Sequence, residues 1–324
     1  MVCMLMIVAG HIISTHTTTY SLYNPDELIK LFFYGGFLVA VNAFILISGY
    51  FGIRLKRDRL ISLIVQVMFY SVGLLLISMA IGCHIFSPQK DFLLLIPILT
   101  KQYWFVTCYV VLYVISPLLN RWASALERDE YKRLLLIGFC LIYVWPTTNF
   151  LINAPQFIDD AGYGIINFSY LYMLGYFLRH HYIEQHSASW YWGGYFLVVV
   201  ILFLCQAGLS FLLGFEFTSW FSYNTIFIFI GAIFLFMAFK NMKIHSSVIN
   251  NLAKPCLAVY LIHKHPLIWG SFCKLIDIDS YHGVSFIVLF LTLPIVIYLA
   301  CAAVEICRLL FMQPIENRII KRLL

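Results

Sequence analysis

NAFILISGYFGIRLKRDRLISLIVQVMFYSV, residues 42–72, decides the fold. An apolar run ends at Phe51, four basic residues (Arg54, Lys56, Arg57, Arg59) crowd a short loop, and a second apolar run opens at Leu60. About 20 apolar residues cross the hydrocarbon core of a bilayer, and Lys and Arg collect in cytoplasmic loops. The stretch therefore reads as a membrane hairpin that turns in the cytoplasm. The rest of the chain has the same character. Of its 324 residues 62% are hydrophobic and 11% charged, with mean hydropathy +0.88, whereas a soluble domain carries about 25% charged residues. An all-α, polytopic membrane protein is expected, with no soluble domain.

Ten spans follow from the apolar runs, near 1–14, 31–52, 60–83, 103–120, 133–152, 164–179, 190–213, 222–239, 254–273 and 284–311. The stretch 91–100, DFLLLIPILT, is half a span with Pro97 inside it and reads as interfacial or re-entrant. No internal repeat or low-complexity region breaks the chain, so residues 1–324 read as one integral-membrane domain.

The net charge of +6 does not imply nucleic acid, because the basic residues sit in short clusters between apolar runs. Their distribution orients the spans. One set of loops and the tail holds Arg54, Lys56, Arg57, Arg59, Arg121, Arg128, Lys132, Arg133, Arg179, Lys240, Lys243, Lys254, Arg308, Arg318, Lys321 and Arg322. The opposite loops hold only Lys30, Lys90, Lys101 and Lys274, together with the acids Asp26, Glu27, Asp159, Asp160, Glu216, Asp277 and Asp279. Both termini are expected in the cytoplasm. The nine cysteines lie in or beside apolar segments and form no CxxC pair, so buried thiols are expected rather than a metal site or a disulfide framework.

Ionisable groups inside spans are costly in lipid and mark function. His11 lies in the first span, and YLIHKHPLIW (260–269) puts His263, Lys264 and His265 near the middle of the ninth, where Pro266 should loosen the helix. Three ionisable residues in a row at that depth suggest a water-filled cavity. The cluster GIRLKRDRLIS (52–62) reads as a topology anchor or as a surface for a cytoplasmic polyanion. Tyr103 and Trp104 enter the fourth span from outside, in an aromatic belt or as a platform for a sugar ring. His180 and His181, beside Arg179, read as interfacial.

MLMIVAGHI (4–12 counted to Ile12, opening at Met4), the 42–72 stretch, YWFVTCYVVLYVISPLLN (103–120) and LAVYLIHKHPLIW (257–269) together resemble the membrane-bound acyltransferase-3 family, in order and nearly end to end. The resemblance implies O-acetylation of bacterial surface glycans by a multi-pass protein of the cytoplasmic membrane. Acetyl-CoA would be the acyl donor and a surface glycan or lipid-linked saccharide the acceptor, with no metal. It implies that His11 acts as general base on the acceptor hydroxyl or as transient acyl carrier, with His263 in a second family motif. Lys56, Arg57 and Arg59 would contact the CoA phosphates, and Tyr103, Trp104, Lys264 and His265 would line the substrate path. The family pattern also has an arginine upstream of the histidine, ten residues intervening. Counting back from His11 lands just before Met1. Fourteen residues rise only about 21 Å against a core of about 30 Å, so residues preceding Met1 are expected. The other reading is a glycolipid flippase or solute transporter with the buried histidines as a proton relay.

Overall fold

The computed structural model describes residues 1–16, 24–152, 154–156, 158, 160–214, 217–276 and 278–323. At 15–16, 273–275, 279, 317 and 319–323 it describes the backbone alone. Of the expected acidic loop residues, Asp159, Glu216 and Asp277 lie outside the described residues, as do the side chains of Asp279, Lys274, Lys321 and Arg322.

Among the described residues the structure is helical: α1 Val2–His16, α2 Pro25–Phe51, α3 Arg57–Ala80, α4 Pro88–Leu95, α5 Trp104–Ala125, α6 Arg128–Phe139, α7 Trp145–Leu151, α8 Ile165–His180, α9 Ala188–Leu213, α10 Ile226–Lys240, α11 Ser247–Ala253, α12 Cys256–His263, α13 Pro266–Leu275 and α14 Gly283–Leu323. Six stretches are long and apolar enough to cross a membrane: α2, α3, α5, Arg128–Leu151, α9 and Gly283–Glu316. The remaining expected spans form the short helices α1, α8 and α10 and the broken pair α12–α13. Large apolar side chains lie exposed along these helices, including Ile77, Phe211, Leu212 and Val284. Such a surface is costly in water and at home in hydrocarbon. The protein is an integral-membrane, all-α chain.

Local sequence explains the helix limits. α2 starts six residues before the apolar run because Asn24 caps it, its Oδ1 accepting from the Asp26 N–H at 3.0 Å, with Pro25 and two acids in the first turn. α6 continues into α7 through a π-turn at Cys140–Val144, just before Pro146, which has no N–H for a regular bond.

The chain divides into two compact units. The first comprises Met1–His16, Leu55–Val114 and Ser246–Leu324, the second Thr17–Arg54 and Ile115–His245.

In the second unit α2 packs on α8 with the backbones touching. A Cβ on Gly49 would lie 2.1 Å from the Tyr172 carbonyl oxygen, and one on Gly175 would lie 2.4 Å from that of Leu46. Small residues are how membrane helices approach this closely. Two buried polar pairs tie its helices: Asn42 Nδ2 donates to the Tyr223 carbonyl at 2.8 Å, and Tyr143 donates to Asn167 Oδ1 at 2.5 Å. Arg179, expected only as an orientation charge, donates to the Tyr50 and Phe51 carbonyls at 3.0 and 3.4 Å and so caps the negative end of α2. Ile53, just before the basic cluster, is fixed by Tyr172 donating 2.7 Å to Asn120 while Tyr172 Oη accepts from the Ile53 N–H at 2.8 Å.

In the loop after α8, Glu184 accepts from Lys240 at 3.0 Å and from Tyr191 at 2.8 Å. Burial alone raises its pKa; Asn241, Lys240, the His186 N–H and Tyr191 outweigh that and bring it down to about 2. A carboxyl depressed from 4.5 stabilises the fold fully above that pH, and the contribution fades as pH falls toward 2. Glu184→Gln is therefore expected to lower the melting temperature at pH 6 and to converge with the parent near pH 2 in parallel thermal melts. A gap that stays constant with pH would contradict this.

In the first unit Ser71 of α3 donates to the Leu94 carbonyl of α4 at 2.7 Å. The 91–100 stretch is half helix and half turn, with α4 ending at Leu95 before Pro97. The ninth expected span is interrupted outright. A residue before proline is pushed out of the helical region, and His265 is extended at φ −62°, ψ 125°, so α12 stops at His263 and α13 restarts with Pro266 in its first turn.

Candidate active site

The break between α12 and α13 brings chemistry together. His263 is buried at the last turn of α12, and its Nδ1 lies 2.6 Å from the Val259 carbonyl oxygen one turn back. A carbonyl only accepts, so Nδ1 carries the hydrogen. With the ring neutral, Nε2 is then an acceptor. It faces His11 Nδ1 on α1 at 2.9 Å, so His11 Nδ1 donates. The basic lone pair of His11 is thereby assigned to Nε2. One backbone carbonyl sets the tautomer of two histidines that lie 252 residues apart.

Trp269, one turn into α13, completes the cluster. Its ring centroid is 6.4 Å from that of His11 and 5.6 Å from that of His263, and Lys264 Nζ lies 5.7 Å from it. The ammonium held over the indole face is a cation–π contact. Trp269 sits inside a stretch quoted for its resemblance, but no sequence pattern marked it off from belt tryptophans.

The other expected site residues all fall in the first unit. His265 is fully buried, its Nε2 3.1 Å from the Ser71 carbonyl, which ties α13 to α3. Tyr103 is also buried, its ring 6.0 Å from that of Tyr260 on α12, while Trp104 packs on Phe105 at 5.9 Å. Lys56, Arg57 and Arg59 are exposed at the start of α3, and the Lys56 N–H donates to Tyr113 Oη at 3.2 Å. Cations at a helix N-terminus oppose the macrodipole, and a bound polyanion would relieve both. Among the described residues no group of His, Cys, Asp and Glu has the arrangement of a metal site.

Arg308, one of the charges that orient the spans, is buried within α14 together with Glu305 and Glu316. Its Nε and Nη2 donate to Glu305 at 2.7 and 2.9 Å, and Nη1 donates to Glu316. Glu305 also accepts from Tyr70 at 2.5 Å and Gln66 at 3.0 Å, both on α3. The signal was an acid and a base three residues apart inside an apolar run. This network fastens α14 to the helix that carries Ser71.

Comparison with known protein families matches residues 1–302 to the acyltransferase domain of the acyltransferase-3 family. The chain belongs to that family. No curated protein and no solved structure matches it. The match covers α1 through about the first half of α14, and therefore every member of the His11–His263–Trp269 cluster. This acyltransferase carries its only histidine pair linked ring to ring, among the described residues, between its first helix and its broken one.

Proposed function

We propose that this membrane acyltransferase moves an acetyl group from acetyl-CoA to a hydroxyl of an extracytoplasmic polysaccharide or lipid-linked sugar, in the cytoplasmic membrane of a bacterium. The hydrogen-bond chain Val259 carbonyl–His263–His11 carries the reading. It leaves His11 Nε2 as the proton acceptor. As the acceptor oxygen bonds to the thioester carbonyl carbon, Nε2 takes the hydroxyl proton. As the carbon–sulfur bond breaks, it returns that proton to the CoA sulfur. His263 positions His11 and is the neighbour that shares the imidazolium charge while the proton is held. An imidazole suits both transfers near neutrality.

Lys56, Arg57 and Arg59 hold the CoA phosphates at the start of α3, and Trp104 and Lys264 attend the acceptor. From Arg57 to Ser71 along α3 is 14 residues, or about 21 Å at 1.5 Å each. Ser71 touches His265, two positions beyond His263. An extended pantetheine arm is of that length, so phosphates at the basic cluster and a thioester near the histidines suit one donor molecule. Buried as they are, Tyr103 and His265 support the helices behind the pair rather than touch sugar.

The test is transfer of label from acetyl-CoA to glycan by the purified protein in vesicles that carry bacterial envelope saccharide. Acid-stable, base-labile label on saccharide together with free CoA thiol is the expected result. Saccharide that crosses the bilayer without gaining label would overturn the proposal in favour of transport.

A further inference from the structure

His265 sits where the ninth expected span breaks, and the proton chemistry of His11 does not use it. Four hydrogen bonds meet at this one residue. Its ring Nε2–H donates to the Ser71 carbonyl of α3 at 3.1 Å, and its backbone N–H donates to the Ile262 carbonyl of α12 at 3.2 Å. Its own carbonyl accepts from the Ile268 and Trp269 N–H groups of α13 at 3.0 and 2.8 Å. The anchor is itself fixed, since Ser71 is fully buried and its hydroxyl donates to the Leu94 carbonyl. His265 is fully buried as well, so no saccharide reaches it. Nor does it relay protons. Nε2 rests on a carbonyl, which hands on no proton, and among the described residues Nδ1 meets no hydrogen-bond partner.

We propose that His265 is a positioning residue for acyl transfer, holding the break against α3 so that His263 presents Nε2 to His11. This rests on the reading of His11 as the base and adds a residue to it. The break is a natural hinge. Pro266 has no N–H to bridge it, and α12 and α13 have only 8 and 10 residues, too few to hold their shape unaided. His263 lies two residues before the pin, so a tilt there carries its ring along. There is little slack. His263 Nε2 lies 2.9 Å from His11 Nδ1, and a shift of under about 1 Å takes it past hydrogen-bonding range. Of the bonds at His265, three join residues within 262–269 and move with the hinge. The ring bond to Ser71 is the one that ties the hinge to a neighbouring helix.

Transfer of label from acetyl-CoA to envelope saccharide is measured with the full chain in lipid vesicles, alongside the parent, His11→Ala and His263→Ala. His265→Leu, or His265→Asn where the leucine variant does not fold, is expected to lower kcat about tenfold, by analogy with other orienting partners. KM for donor and acceptor should stay as it is, because nothing that binds them is lost. The limb of the kcat profile that moves in His263→Ala should move here too. His265→Gln should recover most of the loss, since its amide N–H stands as many bonds from Cα as the imidazole Nε2–H. Added to His263→Ala, the His265 change should cost less than about twofold more, because a residue that acts through His263 then has nothing left to position. Losses that multiply in the double variant, or His265→Gln as slow as His265→Leu, would overturn the positioning role and leave His11 as the base. Transfer that does not depend on His11 would overturn the mechanism on which both rest.

Discussion

His11→Ala is expected to lower kcat/KM for acyl transfer by about 10²–10⁴-fold, the range over which a positioned general base contributes, without weakening donor binding. The loss falls on kcat because the imidazole takes a proton only as the new bond forms, and an interaction made only in the transition state leaves KM alone. His263→Ala should cost less, about 10–100-fold by analogy with the loss of a ligand-orienting partner. It removes the acceptor that fixes the His11 tautomer but leaves the base in place. The pH profile separates the two roles. His263→Ala should displace the limb of the kcat profile that reports the base, whereas His11→Ala should remove it. Transfer by His11→Ala within threefold of the parent, with intact folding by gel filtration, would exclude His11 as the base.

Arg308→Ala is expected to destabilise the first unit by about 3–5 kcal/mol, the cost of leaving buried carboxylates without their counter-charge. Two acids, Glu305 and Glu316, share this one guanidinium. Its planar fork meets Glu305 through two nitrogens, a geometry lysine cannot copy. Arg308→Lys should therefore recover only part of the loss. Replacing Arg308, Glu305 and Glu316 together with leucine or methionine should recover much of the loss, since an apolar cluster has no charge to desolvate, while Tyr70 and Gln66, left without Glu305 as acceptor, keep part of it. Thermal unfolding in one detergent, followed by tryptophan fluorescence, reads all three. A melting temperature for Arg308→Ala equal to that of the parent would show that the network does not hold α14 to α3.

Much of the fold was legible because hydrophobic run length and loop charge are local properties. The runs at 60–83 and 190–213 became α3 and α9 within a few residues, and the run at 284–311 became the start of α14, which continues to Leu323. The places where the reading fell short share a cause. α2 began early because a cap and a polar first turn extend a helix past its apolar run. Arg308 looked like a tail charge because the network it joins is closed on α3, where Tyr70 and Gln66 donate to its partner Glu305 from more than 230 residues away. Arg179 looked like an orientation charge because the carbonyls it caps belong to another helix.

The candidate site divides the same way. Residue type and depth singled out His11 and the His263–Lys264–His265 cluster, since ionisable groups are conspicuous in an apolar sequence, and the motif order pointed to the family. Pro266 also marked where the ninth span would yield, because the restriction on the residue before a proline is local. Only the tertiary structure decided that His11 and His263 touch, which nitrogen each turns to the other, and that Trp269 closes the cluster. Those depend on how α1, α12 and α13 pack, and side-chain contact between helices has no signature in the spacing of residues along the chain. His263 and His265 show the same division within one motif: two residues apart, one joins the pair with His11 and the other is turned to the backbone of α3.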